Sequence, residues 1–428
     1  MRTLEVYLEI SGEQKRVGYI SGNDYNDACF CYDADYLDSE YVSPISISFP
    51  LTEDAFSPEK TKCFFEGLLP EGFSRRAVAN WIKADENDYI TILSALGREC
   101  LGAIKIVEEG TPLNLSAYKK LTLKEVKKLA GEGATKSTQI LLNTHLSLAG
   151  ATGKVGLYYD ENKDKWYLPE GDAPSTHIVK QSHVRLEHIV LNEELCMLTA
   201  KASGLDVAES FIINTGEGKD SEILFATKRY DRMINSGRYI DGLQVPNRLH
   251  QEDFAQAMGI PSNEKYETTS AHYLKRMFET IRANCSDPIS DQIKLWKMIC
   301  FNYLIGNTDS HIKNFALIYG EDLKRISLAP AYDIVSTKVY NLSDEMSFFI
   351  GNELSIEKLT WNDFARAAGE CGLTERIARK AFDEVADCFE KALKNSAEEL
   401  YAAGFSEARK LKNKILKFKR KMVTIDIF

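Results

Sequence analysis

Apolar and polar residues alternate over Thr3 to Ile10, Lys15 to Ile20 and Ala28 to Tyr32. That is the period of half-buried strands, and the polar breaks between them predict a small antiparallel meander. The pattern then lengthens to helical spacing from Ser74 to Ala84 and from Asp88 to Ala95, closing at Gly97, before Leu101 to Val107 returns as a strand. Glu108 to Ser116, with its Gly and Pro, predicts a linker. Val155 to Tyr159 and Lys165 to Leu168 predict a strand pair, followed by a strand ending at Lys180, a helix from Asn192 to Ala202, and strands around Ala208 to Asn214 and Ile223 to Tyr230. From Gln251 onward the periodicity is mostly helical. The chain therefore divides into a β-rich segment 1–110, a second strand-rich segment 111–232 and an α-rich segment 233–428, an α+β architecture without repeats.

Composition narrows the setting. The 428 residues are 44% hydrophobic and 27% charged, enough for two or three packed bodies. No apolar run reaches membrane-spanning length, and Met1-Arg2-Thr3-Leu4-Glu5 lacks a signal-peptide core, so a cytoplasmic protein without membrane contact is expected. Nine cysteines are an odd number and scattered. Only Cys29 and Cys31 are close, with no histidine beside them, so buried thiols are expected rather than disulfides or structural zinc. A net charge of -10 disfavours the whole surface as a nucleic-acid binder. The basic stretch from Arg409 to Lys421 is the exception, yet Leu411, Ile415, Leu416 and Phe418 make a stripe at helical spacing. A helix docked on the body is the reading preferred over a supporting DNA contact.

The candidate chemistry centres on Gly306-Asn307-Thr308-Asp309-Ser310-His311-Ile312-Lys313-Asn314, followed by the strand Phe315 to Ile318 and later by Ala331-Tyr332-Asp333. An Asp, an Asn after four intervening residues, and a second Asp beyond a hairpin is the polar grammar of a phosphotransfer loop. The first Asp takes the proton of the acceptor hydroxyl, while the Asn and the second Asp hold Mg²⁺ on ATP phosphates. The same residues also suit an ordinary polar turn. Upstream, the strand, glycine-containing loop, strand, lysine strand and helix follow the layout of a kinase N-lobe. Lys180 ends the alternating stretch from Thr176, where a compact cation would hold the α and β phosphates, with Glu193 as its helix partner; an exposed strand-end lysine is the alternative. Gly150-Ala151-Thr152-Gly153-Lys154 is either a phosphate cradle of backbone N–H groups or a plain hairpin. It is no Walker A loop, since Val155 replaces the hydroxyl residue. Lys228-Arg229-Tyr230 is either a hinge offering backbone groups to adenine or a charged strand exit. Of the histidines, His311 alone falls inside the proposed site.

With these residues in view, the chain resembles the HipA family of serine/threonine kinases, the toxin halves of bacterial HipBA toxin–antitoxin pairs. The marks are Phe65-Glu66-Gly67-Leu68-Leu69-Pro70-Glu71-Gly72, Ser147-Leu148-Ala149-Gly150-Ala151, Thr176 to Lys180, Asn192-Glu193 with Cys196-Met197, Arg229-Tyr230-Asp231-Arg232, Leu249 to Asp253, Pro261 to Tyr266, Leu304 to Asp309 with His311 to Asn314, and Pro330 to Asp333. The resemblance implies a two-lobe fold of the phosphatidylinositol-kinase kind, with an added N-terminal β-rich subdomain and a mostly helical C-lobe. It implies Asp309 as catalytic base, Asn314 and Asp333 as Mg²⁺ ligands, and Lys180 on phosphate in an ion pair with Glu193. Ala149 to Lys154 would form the nucleotide loop, Lys228 to Tyr230 the hinge, and His311, Lys313, Asn314, Tyr332 and Asp333 the nucleotide side. Ser147 falls where family members autophosphorylate, which silences the kinase.

The resemblance also implies partners: a HipB-like helix-turn-helix antitoxin, DNA reached through it, and an aminoacyl-tRNA synthetase as protein substrate. One departure stands out. Family loops read Ala-Gly-Ala-Gln-Glu-Lys-Thr, whereas here Thr152, Gly153 and Val155 take the Gln, Glu and Thr positions and Lys154 is kept. Competing readings on the same scaffold are a small-molecule or lipid kinase and a non-catalytic pseudokinase that corepresses an operon.

Overall fold

The computed structural model describes residues 2–40, 42–112, 116–131, 154–182, 186–234, 237–340 and 342–420. The chain folds into two compact units. One comprises Met1–Gln181, Ala226–Ser262 and Ile318–Ile326, the other Ser182–Phe225, Asn263–Leu317 and Ser327–Phe428. This division cuts across the three consecutive segments expected from the sequence, because strands after residue 116 fold with the N-terminal meander and residues 182–225 fold with the later helices.

In the first unit the alternating stretches are strands Arg2–Ile10, Glu13–Gly22 and Cys29–Tyr32, joined as an antiparallel meander. Strand Ile104–Glu108 returns to pair along the open edge of the first strand, with Leu4 opposite Glu108. Leu4, Val6, Leu8 and Ile20 are buried, helix Pro58–Glu66 packs on strand Cys29–Tyr32 and helix Tyr89–Leu96 on strand Ile104–Glu108, and an aromatic cluster fills the core. In that cluster the Phe49 and Phe56 rings lie 4.4 Å apart, and Phe64 and Phe65 meet edge-on at 5.1 Å. Phe65, Leu68 and Leu69 of the Phe65–Gly72 mark are therefore core residues. Ser57 caps the first of these helices by accepting the Lys60 N–H, with Pro58 at its first turn, and Asp88 caps the second by accepting the Thr91 N–H. Gly18 is dictated by proximity, since a Cβ there would lie 2.3 Å from the Cys31 carbonyl oxygen.

A second antiparallel sheet in the same unit runs Ser116–Leu121, Lys165–Gly171, Lys154–Asp160, His177–Gln181 in spatial order. The two sheets share a buried ionic network. Glu99 accepts from Arg229 at 2.9 Å, Arg232 at 3.0 Å and Arg248 at 2.8 Å. Arg229 also pairs with Asp231 at 2.7 Å, Arg248 with Glu9 at 3.1 Å, and Arg98 with Asp172 at 2.9 Å. Burial pushes the Glu99 carboxyl up, but the Arg232, Arg248 and Arg229 guanidinium groups outweigh it and hold the group well below the usual carboxylate range.

The second unit is mainly helical. Helix Pro288–Ile305, capped by Asp287, buries Trp296, Phe301 and Tyr303. Phe301 meets Phe389 of the long helix Glu375–Ala402 at 5.9 Å, and Phe364 of helix Trp361–Glu370 packs on Tyr303 at 5.1 Å. The basic stretch near the C-terminus is helix Glu407–Lys419, with Leu411, Ile415 and Phe418 buried and Lys419 paired with Glu390 at 3.2 Å. It is the docked helix that its stripe predicts. Among the described residues no cysteine is in a disulfide, and no helix is long and apolar enough to cross a membrane.

The ionic network gives a direct test. Replacing Glu99 by Gln keeps the shape but leaves three buried guanidinium groups facing a neutral amide, and is expected to cost about 3–5 kcal/mol. Urea unfolding of wild type and variant measures it, and a loss below about 1 kcal/mol would show that the arginines are satisfied without that charge.

Candidate functional site

Helix Pro288–Ile305 stops at Gly306, whose φ of 74° no side-chain-bearing residue adopts readily. Space forbids a side chain there as well, because a Cβ would lie 2.9 Å from the Phe418 ring. Beyond this cap the polar residues tie the loop to its surroundings. The Asn307 N–H donates to the Asn302 carbonyl at 2.9 Å and its side-chain amide to Asn302 Oδ1 at 2.8 Å, while Asn307 Oδ1 accepts the Asp309 N–H at 3.1 Å. The Thr308 N–H donates to Thr337 Oγ1 at 2.9 Å, and the Thr308 carbonyl accepts from the Ser347 hydroxyl at 2.8 Å. Thr337 in turn donates to the Gly306 carbonyl at 3.0 Å. With its backbone thus occupied, the loop presents the Asp309 carboxylate on an exposed residue.

The Asp309 carbonyl accepts the His311 N–H at 2.8 Å and the Asn314 Nδ2 at 3.0 Å. Asn314 ends the 3₁₀ turn Ile312–Asn314, its own N–H donating to the His311 carbonyl at 2.8 Å. His311 and Lys313 are buried, and Asn314 is half-buried. The segment carrying Asp333 lies alongside. The Ala329 N–H donates to the Ala316 carbonyl at 2.9 Å, and the Tyr332 hydroxyl to the Lys313 carbonyl at 2.9 Å. Asp333 itself has a φ of 56°, a left-handed conformation unusual for a residue with a side chain and of the kind found at functional sites. The structure thus brings Asp309, His311, Lys313, Asn314, Tyr332 and Asp333 together.

Residues without a role in the sequence reading complete the arrangement. The Tyr266 hydroxyl donates to Asp309 Oδ1 at 2.5 Å, and its ring meets His311 edge-on at 5.2 Å. Asn192, fully buried on helix Ile189–Ala202, holds both main-chain polar groups of Ser336: Nδ2 donates to the Ser336 carbonyl at 3.0 Å and Oδ1 accepts the Ser336 N–H at 3.2 Å. The Ala331 N–H donates to the Asp206 carbonyl and the Ala208 N–H to the Ala331 carbonyl, both at 2.9 Å. The strand after residue 206 therefore holds one end of the Asp333 segment and Asn192 holds the other. Pro261 to Tyr266 and Asn192-Glu193 are marks of the resemblance, and that was the sole sequence signal for either residue.

Glu193 sits beside Asn192 on the same helix of the second unit and is buried. Lys154 and Lys180 belong to the first unit. Lys154 opens a strand rather than ending a loop, and it lies directly opposite Lys180 in the antiparallel register, which sets the two ammonium groups on one face. Lys228 pairs with Glu161 at 2.8 Å, and the Tyr230 hydroxyl bonds to Gln251. The Arg229 guanidinium is committed to Glu99, Asp231 and Ser175, its N–H to the Thr176 carbonyl and its carbonyl to the Arg232 N–H. Any nucleotide contact made by this stretch falls to its neighbours. Ser147, Ala149, Gly150, Ala151, Thr152 and Gly153 lie outside the described residues.

The donor set fits Mg²⁺ on a phosphate. The Asn314 amide nitrogen donates to the Asp309 carbonyl, so a cation here would be met by its Oδ1, with a carboxylate that Asp333 would supply. One or two oxygen ligands completed by phosphate and water suit Mg²⁺. Accordingly, no cluster of three His, Cys, Asp or Glu side chains suited to a metal exists among the described residues.

Residues 8–107 match the family model of the HipA N-terminal domain, and residues 146–393 match that of the HipA-like C-terminal domain. The chain belongs to the HipA family. It is 30% identical to Y4mE of Sinorhizobium fredii, provisionally named a kinase, over 91% of this chain and 93% of that one. It is 26% identical to the Shewanella oneidensis serine/threonine-protein kinase toxin HipA over 83% of each. The solved complex of Shewanella oneidensis HipA with HipB and its operator DNA contains a chain that superposes with a TM-score of 0.79, covering 98% of this chain and 97% of that one at 23% identity. The mixed α/β fold is therefore that of HipA.

In this HipA-family chain, Asn192→Ala strands the buried main-chain N–H and carbonyl of Ser336 and is expected to cost about 2–5 kcal/mol. Comparison of urea midpoints with Ser336→Ala separates this clamp from simple packing. The Ser336 hydroxyl is buried without a hydrogen-bond partner among the described residues, so removing it should leave stability unchanged or slightly raised.

Proposed function

We propose that this chain is an ATP- and Mg²⁺-dependent serine/threonine protein kinase acting as the toxin of a toxin–antitoxin pair. Its restraint would come from a HipB-like helix-turn-helix antitoxin that also links it to DNA. The observation that carries the reading is the lacing of the Asp309 loop to the Asp333 segment through Thr337, Tyr332 and Ala329. Backbone tied in this way would hold the Asp309, Asn314 and Asp333 side chains in the fixed arrangement that phosphoryl transfer requires.

In this reading Asp309 accepts the proton of a seryl or threonyl hydroxyl as that oxygen bonds to the γ-phosphorus and ADP departs. Its exposure gives a protein acceptor access. Asn314 and Asp333 would hold the magnesium ion, which when bound neutralises charge on the phosphates. Lys180, supported by Glu193, and Lys154 beside it would hold phosphate oxygens: two lysines directly opposite repel each other, and an anion shared between them reverses that cost. Ala149 to Gly153 would supply backbone donors, and Lys228 with Tyr230 the adenine side. The fold reading is the phosphatidylinositol-kinase-like one. Kinship with a named kinase toxin and with a chain solved beside HipB and operator DNA supports the toxin role, and an aminoacyl-tRNA synthetase is the proposed substrate. Autophosphorylation at Ser147 would place nearly two negative charges before the nucleotide loop and switch the enzyme off.

With radiolabelled ATP and Mg²⁺, wild-type protein is expected to carry phosphate on Ser147, mapped by mass spectrometry, and to arrest growth when produced without its antitoxin. Asp309→Gln should lower transfer by about 10²–10⁴-fold and relieve the arrest at unchanged thermal stability. Continued arrest by that variant would show that the base has been misassigned, and label in a soluble product instead of a protein band would favour a small-molecule or lipid kinase.

A further inference from the structure

The phenol of Tyr266 stands where the acceptor should be. A general base must lie within hydrogen-bond reach of the hydroxyl it deprotonates, and Asp309 Oδ1 already receives a hydroxyl, that of Tyr266, at 2.5 Å. This contact is not an accident of a loose side chain. Tyr266 is 43% exposed and gains little from burial, but the next residue is anchored firmly. Glu267 is buried, its N–H donates to the Ser347 carbonyl at 2.8 Å, and its carboxylate accepts the Tyr273 N–H at 3.3 Å and the Phe349 N–H at 3.0 Å. Ser347 in turn donates to the carbonyl of Thr308, the residue before Asp309. A closed ring of bonds, Tyr266–Glu267–Ser347–Thr308–Asp309, therefore fixes the phenol against the carboxylate. Two ring contacts steady it further, His311 edge-on at 5.2 Å and Lys265 Nζ at 5.4 Å from the centroid.

We propose that Tyr266 is the resident occupant of the acceptor position, which a seryl or threonyl hydroxyl of a protein substrate must displace from Asp309 before phosphate can move. Tyr266 thereby sets how tightly acceptors are held and disfavours those that bring too few other contacts to pay for the exchange. It is a specificity-determining residue that takes no part in the chemistry, because its hydroxyl leaves the base when the acceptor arrives. The inference rests on Asp309 being the base.

Tyr266→Phe removes the hydroxyl and keeps the ring on His311. Initial rates at saturating ATP and Mg²⁺, with myelin basic protein as a generic acceptor, should show KM falling about fivefold to tenfold while kcat stays within about twofold, as loss of one charge-assisted bond from the competing state predicts. A lower kcat at unchanged KM would overturn the proposal, since the phenol would then be supporting the base, and an unchanged KM and kcat would show that it does not compete at all. Absence of transfer by both proteins, with ATP binding intact, would remove the kinase reading itself and this inference with it.

Discussion

A single buried carboxylate organises the first unit. Glu99 lies in the turn before strand Ile104–Glu108, and the arginines that reach it come from residues 229, 232 and 248, far along the chain. Any one of these ions alone in the interior would be strongly destabilising, so the segments that supply them must come together or not at all. Asp231 and Glu9 extend the constraint by fixing the far sides of the same guanidinium groups and, through Asp231, the Gly102 N–H at 2.7 Å. The meander of residues 2–32 and the sheet that begins at Ser116 are in this way halves of one folded body. Geometric specificity is what such a network adds: guanidinium forks accept few orientations, and those orientations set where the strand leading to Tyr230 ends.

The second unit uses neutral hydrogen bonds for a similar purpose. Thr308, Thr337 and Ser347 are small hydroxyl residues, and the Thr337 and Ser347 hydroxyls bond to loop backbone at Gly306 and Thr308, which ties the loop down on either side of its first turn. The left-handed Asp333 is held between two pinned stretches, one at Ala331 and one at Ser336. A strained residue keeps its conformation only when its surroundings over-determine it, and here they do.

Much of this was legible in the residue order, and for identifiable reasons. Alternation marked the meander, apolar spacing marked helix Pro288–Ile305 and the docked helix Glu407–Lys419, and the offsets among Asp309, Asn314 and Asp333 marked the loop, because each of these signals is local. What escaped is what depends on distant partners. Tyr266 lies 43 residues from Asp309 and Asn192 lies 144 from Ser336, and neither spacing has any periodic meaning. Arg229 was misleading in a different way. In sequence it belongs to a charged strand exit, and a guanidinium is seldom fully buried, so its commitment to Glu99 becomes visible only with Arg232 and Arg248 in place. The left-handed backbone at Asp333 had no signature at all, since Asp carries no mark of the conformation its neighbours impose.

The ring of Phe418 fills the space that a side chain at residue 306 would need, and Lys338, whose backbone N–H donates to the Gly306 carbonyl, lies over that same ring. Residue 418 is made about a hundred residues after the loop it supports, so a ribosome still translating this stretch carries a loop that lacks its backing. Until helix Glu407–Lys419 has been made and docked, the first residue of the Asp309 loop lacks the ring that packs against it, so local order at residue 306 waits on the last helix of the fold.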